Sequence, residues 1–262
     1  MHVVVFTGGD FPKPEHTQLF WKNVSAPDFV VAADSGFDAA LAYEKYFKGN
    51  YDFMPDLISG DMDSLKNFET KLASFPEEKI LRHDPYKDFT DTELALDFVY
   101  KKFSSAGHDA YPQGKSAVPA EKDGLFVTIV GGAGGRVDHL LGIFDIFSME
   151  IRPSAWICME QVLWFAPEKS LFEISALTLD DVISVARLNG SRTGGRIVSQ
   201  GLEWDSPCFR NQGMPSISNR ISKKTFSEKK AVKISVEEGS FVLVLPVTAL
   251  VNRKLPLCTE KK

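Results

Sequence analysis

Five short apolar runs, each leading into glycine or aspartate, constrain this chain more than any other feature. His2 to Phe6 gives way to Thr7-Gly8-Gly9-Asp10, Asp28 to Ala33 to Asp34-Ser35-Gly36, and Pro55 to Ser59 to Gly60-Asp61-Met62-Asp63. Lys79 to Leu81 runs towards His83-Asp84-Pro85-Tyr86-Lys87-Asp88, and Leu125 to Val130, the clearest of the five, ends in Gly131-Gly132-Ala133-Gly134-Gly135-Arg136. Runs of this length, rich in β-branched residues and bounded by turn residues, read as buried strands. Helical patterns fall between them, at Glu15 to Val24, Ala39 to Tyr46 and after Thr90. Strands alternating with helices imply a parallel sheet with right-handed crossovers, and such sheets bind ligands outside the carboxyl ends of their strands. Asp34, Asp61, Asp63 and Asp88 are therefore expected to converge on one edge.

Two carboxylates one residue apart at a strand end, Asp61 and Asp63, repel unless one takes a proton or a cation holds both ionised. Mg²⁺, with its preference for oxygen ligands, is the usual cation. The competing reading is a polar turn that caps a helix beginning at Ser64. Thr90 and Glu93 fit a capping box, so a helix starts there. Asp91 then lies in its first turn, where the helix dipole favours an acid in any case. Asp88 precedes the cap and competes for the same electropositive space. The glycine run after Val130 lets backbone amides approach an anion at a helix start, and Arg136 adds a planar fork for phosphate oxygens. This is not a Walker A loop, because no Gly-Lys-Ser/Thr follows, and Val137 stands where a dinucleotide fingerprint needs its third glycine. Asp138 and His139 fall in the first turn of the helix beyond.

Composition bears on partners. A net charge of −5 argues against a general nucleic-acid binder, so any phosphate is handled locally. No run is long enough to span a bilayer, the start resembles no signal peptide, and three scattered cysteines form no pair, which together point to the cytoplasm. Residues 104–124 break the periodic pattern and read as a long surface loop or insertion. Beyond Glu150 strand candidates crowd together, at 156–159, 162–165, 181–188, 197–198, 233–236 and 241–245, separated by turns. The expected fold is an N-terminal α/β domain with a parallel sheet over 1–165 and a C-terminal β-sandwich over 166–262.

Taken together, Ala33-Asp34-Ser35-Gly36, the stretch Pro55 to Ser64, Lys87-Asp88-Phe89-Thr90-Asp91 and Gly134-Gly135-Arg136-Val137-Asp138-His139 resemble the thiamin pyrophosphokinase family, in order and in spacing. Gly201 to Trp204, Ser218-Asn219 and Val236 to Gly239 resemble its β-sandwich motifs. Two positions depart from it. Ile143 stands where the family usually has asparagine, and Arg220-Ile221 where it often has an aromatic. The resemblance implies transfer of a pyrophosphoryl group from ATP to the hydroxyl of thiamin, giving thiamin diphosphate and AMP. It further implies Mg²⁺ on Asp34, Asp61, Asp63 and Asp91, and nucleotide contacts from Gly8, Gly9, Asp34, Ser35, Lys87, Thr90, Gly135, Arg136 and His139. On the same resemblance, Asp138 would orient the arginine or the metal's waters, and either Asp88 or Asp91 would accept the hydroxyl proton. Asp91, Ser218 and Asn219 would serve thiamin, the latter two across a homodimer interface. A pyrophosphokinase for another hydroxymethyl heterocycle, such as a pterin, a metal-dependent glycosyltransferase and a non-catalytic binding homologue remain as alternatives.

Overall fold

The computed structural model describes residues 1–61, 72, 75–84, 86, 88–104, 124–188 and 195–255. The chain forms two compact units, Met1–Glu15 with Ser25–Met159, and His16–Val24 with Glu160–Lys262.

The first unit is built on six parallel strands. These are β1 (His2–Thr7), β2 (Phe29–Ala33), β3 (Leu57–Gly60), β4 (Ile80–Arg82), β5 (Phe126–Gly131) and β6 (Ala155–Cys158), in the spatial order β6-β5-β1-β2-β3-β4. Every residue of β1 is buried, as befits a central strand covered on both faces. Among the described residues the unit also carries helices α1 (Gly36–Phe47), α2 (Asp91–Phe103) and α3 (Val137–Ile146). Helix α1 lies so close to β1 that a Cβ on Gly36 would overlap the Phe6 carbonyl and the Thr7 nitrogen, which is why no side chain fits there. Phe6, Tyr43 and Phe53 fill the space beyond with edge-on ring contacts at 5.1 to 5.9 Å. Helix α2 starts at the carboxyl edge of the sheet and runs back to its amino edge, burying Ala95, Leu96 and Val99. The chain proceeds from β1 outwards through β2, β3 and β4, then returns to the other side of β1 with β5. The order therefore reverses between β1 and β5, and a crevice opens at the carboxyl end of such a switch point.

The second unit holds two antiparallel sheets. The strands β7 (Gln161–Ala166), β8 (Ser170–Ser175), β9 (Ile183–Arg187), β10 (Arg196–Gln200), β11 (Ser216–Asn219), β12 (Val232–Glu238), β13 (Phe241–Pro246) and β14 (Leu250–Lys254) pair as β11-β9-β13-β7 and β10-β12-β8-β14. The fold class is thus the expected one, α/β followed by a β-sandwich. Three strands, β8, β11 and β14, were not among the sequence candidates. The two units part at 159/160, earlier than the 1–165 and 166–262 division read from sequence, and the 162–165 run belongs to the second unit.

The expected crossover helix at Glu15 to Val24 is also different. It is a 3₁₀ turn, Pro14–Thr17, followed by a short helix, Gln18–Asn23, and it groups with the second unit. The reason lies in its aromatics. Phe20 and Trp21 are buried, Phe20 meets Trp164 at 5.5 Å, and Asn23 donates to the Val251 carbonyl at 2.7 Å. The 104–124 insertion, save its two ends, lies outside the described residues.

Candidate active site

The carboxyl ends of β2 and β3 and the start of α2 bring three acids together. Asp34 follows β2 directly, is buried, and adopts φ +47°, a conformation that aspartate tolerates better than most residues. Its N–H donates to the Ser59 carbonyl at 2.8 Å, which helps hold the conformation against its cost. Asp61 follows β3, and Asp91 is the first residue of α2. A full capping box fixes that helix start: Glu93 N–H donates to Thr90 Oγ1 at 3.2 Å and Thr90 N–H to Glu93 Oε2 at 2.8 Å. One carboxylate oxygen from each of Asp34, Asp61 and Asp91 lies within 4.8 Å of the others. Unit charges so placed repel by on the order of 3 kcal/mol per pair at an effective dielectric of about 20. A hard dication removes that repulsion, and a donor set made only of carboxylate oxygens suits Mg²⁺.

Beside this cluster lies a cleft of about 650 Å³, within the range of small-molecule sites. Gly8 and Gly9 line it from the end of β1, with Asp34 and Ser35 beyond β2. Thr90 and Asp91 line it at the start of α2, and Gly132 to Arg136, Asp138, His139 and Ile143 from the far side. The glycine turn is tied to β1 by hydrogen bonds from Gly132 N–H to the Gly8 carbonyl (3.1 Å) and from Asp10 N–H to the Ala133 carbonyl (2.7 Å). Buried Trp156 braces it from below, donating from Nε1 to the Gly131 carbonyl at 2.7 Å. Gly134 sits at φ +82°, and a Cβ there would run into the Asp10 carboxylate, so a side chain there meets both strain and crowding.

Arg136 stands immediately before α3 and pairs with Asp138 through Nη2 at 2.5 Å. The guanidinium hydrogen bond pulls the Asp138 carboxyl down from 3.8 to about 2, and the carboxylate raises the Arg136 pKa in return. Both side chains are about two-thirds exposed, so the arginine is free to turn towards an anion in the cleft.

The structure thus gathers Gly8, Gly9, Asp34, Ser35, Thr90, Asp91, Gly135, Arg136, Asp138 and His139 around one cleft, with Asp61 in its acidic cluster. Asp88 is exposed and is not among the residues lining that cleft. Asp63 and Lys87 lie outside the described residues. Ser218 and Asn219 belong to the second unit. Ser218 is exposed at φ +56°, whereas Asn219 is fully buried with its amide spent on structure. Its Nδ2 donates to the Trp204 carbonyl (2.7 Å) and Ser216 Oγ (3.0 Å), and its Oδ1 accepts from the N–H of Trp204 (3.3 Å) and of Arg220 (2.9 Å). Reasoning from sequence missed Thr7, Asp10, Thr92 and Trp156. Only Asp10, a carboxylate just past a strand end, carried a signal of the kind used for the others.

Comparison with known proteins points to one family. Residues 18–157 match the family model described as thiamin pyrophosphokinase, catalytic domain. The chain is 23% identical over 243 residues to thiamine pyrophosphokinase 1 of Arabidopsis thaliana, covering 88% of this chain and 80% of that protein. Among solved structures, thiamine pyrophosphokinase from Bacillus subtilis superposes with a TM-score of 0.61 at 16% identity, over 94% of this chain and 99% of that one. Thiamin pyrophosphokinase from Candida albicans gives 0.60 at 16% identity, over 94% and 89%. At these identities the structural likenesses speak for the fold.

Proposed function

The chain belongs to the thiamin pyrophosphokinase family, and on that premise we propose that its cleft moves the pyrophosphoryl group of ATP onto the hydroxyethyl oxygen of thiamin. The observation that carries this reading is the pairing of an acidic cluster, Asp34, Asp61 and Asp91, with a glycine turn and Arg136 on one cleft. Pyrophosphoryl transfer needs little covalent chemistry from protein groups; it needs in-line positioning and neutralised oxygen charge.

Asp34, Asp61 and Asp91, with Asp63 by its place in the sequence, would hold Mg²⁺. When bound, that ion would supply positive charge to offset that of the triphosphate. The amides of the glycine turn and Arg136 take the remaining phosphate charge, while Asp138 keeps the guanidinium oriented until phosphate competes for it. Gly8, Gly9, Ser35, Lys87, Thr90, Gly135 and His139 make up the rest of the nucleotide contacts. The thiamin hydroxyl gives its proton to Asp88 or Asp91, and its oxygen bonds to the β-phosphorus. The bond from that phosphorus to the oxygen bridging the α-phosphate breaks, and AMP leaves with that oxygen. A cationic thiazolium suits the acidic edge. Ser218 and Asn219 serve thiamin from the second unit of a partner copy in a homodimer, Asn219 by holding the Trp204 segment. No helix among the described residues is long and apolar enough to cross a membrane, and the reaction is assigned to the cytoplasm.

The test is AMP release from ATP and Mg²⁺ with thiamin and, in parallel, with a hydroxymethylpterin and other alcohols. Thiamin-dependent AMP release is expected, lost in Asp61→Asn. Release that follows the pterin instead, or none with any acceptor, would overturn the reading.

A further inference from the structure

Thr7 and Thr92 share a hydrogen bond between their Oγ1 atoms, 2.5 Å apart, and both side chains are buried at the cleft. Neither has a part in the chemistry above. Thr7 is the last residue of β1 and lies opposite Gly131 in the β1–β5 register, where the glycine turn begins. Thr92 is the second residue of α2, directly after Asp91. The bond therefore joins, across 85 residues of sequence, the strand that flanks the glycine turn to the helix end that carries one of the clustered carboxylates.

The capping box and the apolar contacts constrain this helix end in a different way from the hydroxyl pair. The capping box is local, since Thr90 and Glu93 both belong to the start of α2 and fix where the helix begins rather than where it sits. Ala95, Leu96 and Val99 supply apolar burial, which is large but non-directional. A buried hydroxyl pair is directional, and breaking one side leaves the other hydroxyl without its partner. Residues 91 and 92 share one backbone, so the Thr92 anchor also limits where the Asp91 carboxylate points.

We propose that Thr7 and Thr92 are positioning residues for the cation site: their bond locks the first turn of α2 to β1 and holds Asp91 in register with Asp34 and Asp61. This rests on the reading of the acidic cluster as a divalent-cation site. It makes cation binding and the glycine turn share one mechanical reference, strand β1.

The experiment titrates Mn²⁺ alone, by calorimetry, into the parent chain and into Thr7→Val, Thr92→Val, the double variant and Thr7→Ser, with no nucleotide or acceptor present. Circular dichroism confirms folding, and Thr92→Val serves if Thr7→Val does not fold. Each single valine variant is expected to weaken Mn²⁺ binding about tenfold, the lower end of the loss seen when a ligand's outer partner is removed. The double variant is expected to be no weaker than either single one, and the serine variant to keep the parent affinity. Valine variants that bind Mn²⁺ as the parent does, losses that add in the double variant, or a serine variant as weak as the valine would each overturn the proposal, as would a parent chain that binds no Mn²⁺. A parent that binds Mn²⁺ yet releases no AMP with thiamin would sink the reaction assignment and leave this inference standing.

Discussion

Arg136 reaches forward along its own segment to Asp138, two residues on, and donates to both carboxylate oxygens, from Nε at 3.2 Å and from Nη2 at 2.5 Å. A carboxyl depressed to about 2 in the folded chain favours folding above its unfolded value of about 3.9, and loses that contribution as pH falls through its folded value. The pair therefore stays charged from pH 5 to 8, and any change in turnover across that range arises at other groups. A carboxyl-detected NMR titration should place the Asp138 midpoint near 2, rising to the ordinary carboxylate range in Arg136→Gln. An ordinary midpoint in the parent chain would mean that the pair does not form in solution.

Asp34 offers a clean test of the acidic cluster, because asparagine keeps both its shape and its tolerance of the φ +47° backbone. Asp34→Asn should fold with an unchanged circular dichroism spectrum. Its cation affinity should fall by more than the ~10–100-fold that an outer partner is worth, and AMP release should fall with it. Retained affinity would remove Asp34 from the ligand set.

Gly36→Ala should destabilise the first unit by about 1–3 kcal/mol, the usual cost of forcing atoms into a filled core. The added methyl would meet the backbone of Phe6 and Thr7, which cannot rotate away as a side chain could. Urea denaturation followed by tryptophan fluorescence measures this, since Trp156 is buried in that unit.

Asn219→Ala separates contact from support. Its amide bonds to Trp204, Ser216 and Arg220 are all internal, so the substitution should cost stability, about 1–3 kcal/mol for the backbone and hydroxyl groups left unpaired. It should also change the emission of Trp204, which is half exposed. A raised KM for thiamin with unchanged melting would instead make Asn219 a direct substrate contact.

What could be read without coordinates was whatever is written locally. Strands β1, β2, β3 and β5 carry their hydrophobic runs and their terminating turns in consecutive residues, so Asp34 and Asp61 could be placed at strand ends, and Thr90 with Glu93 announced the helix that positions Asp91. Partnerships made at long range left no such mark. Nothing near Thr7 indicates a partner 85 residues away. Asn219 reads as a polar residue suited to a ligand until its four internal hydrogen bonds are seen. The segment 16–24 has a helical pattern that fits a crossover, and only the burial of Phe20 and Trp21 assigns it to the other unit. Strand β8 is half hidden by Glu173, whose carboxylate is held below its ordinary range chiefly by a hydrogen bond from Lys233.

Helix α2 carries the chain away from the acids before it reaches Ser104, and Gly124 accepts a hydrogen bond from the Met1 ammonium at 2.8 Å, at the amino edge where β1 and β5 begin. Those two attachment points stand a helix and a strand length, roughly 20 Å, from the cleft. A fluorescent or affinity module spliced between them in place of residues 105–123 would hang from the rear of the first unit. The same geometry that aims the acids at one edge thus leaves a mounting point for a sensor at the other.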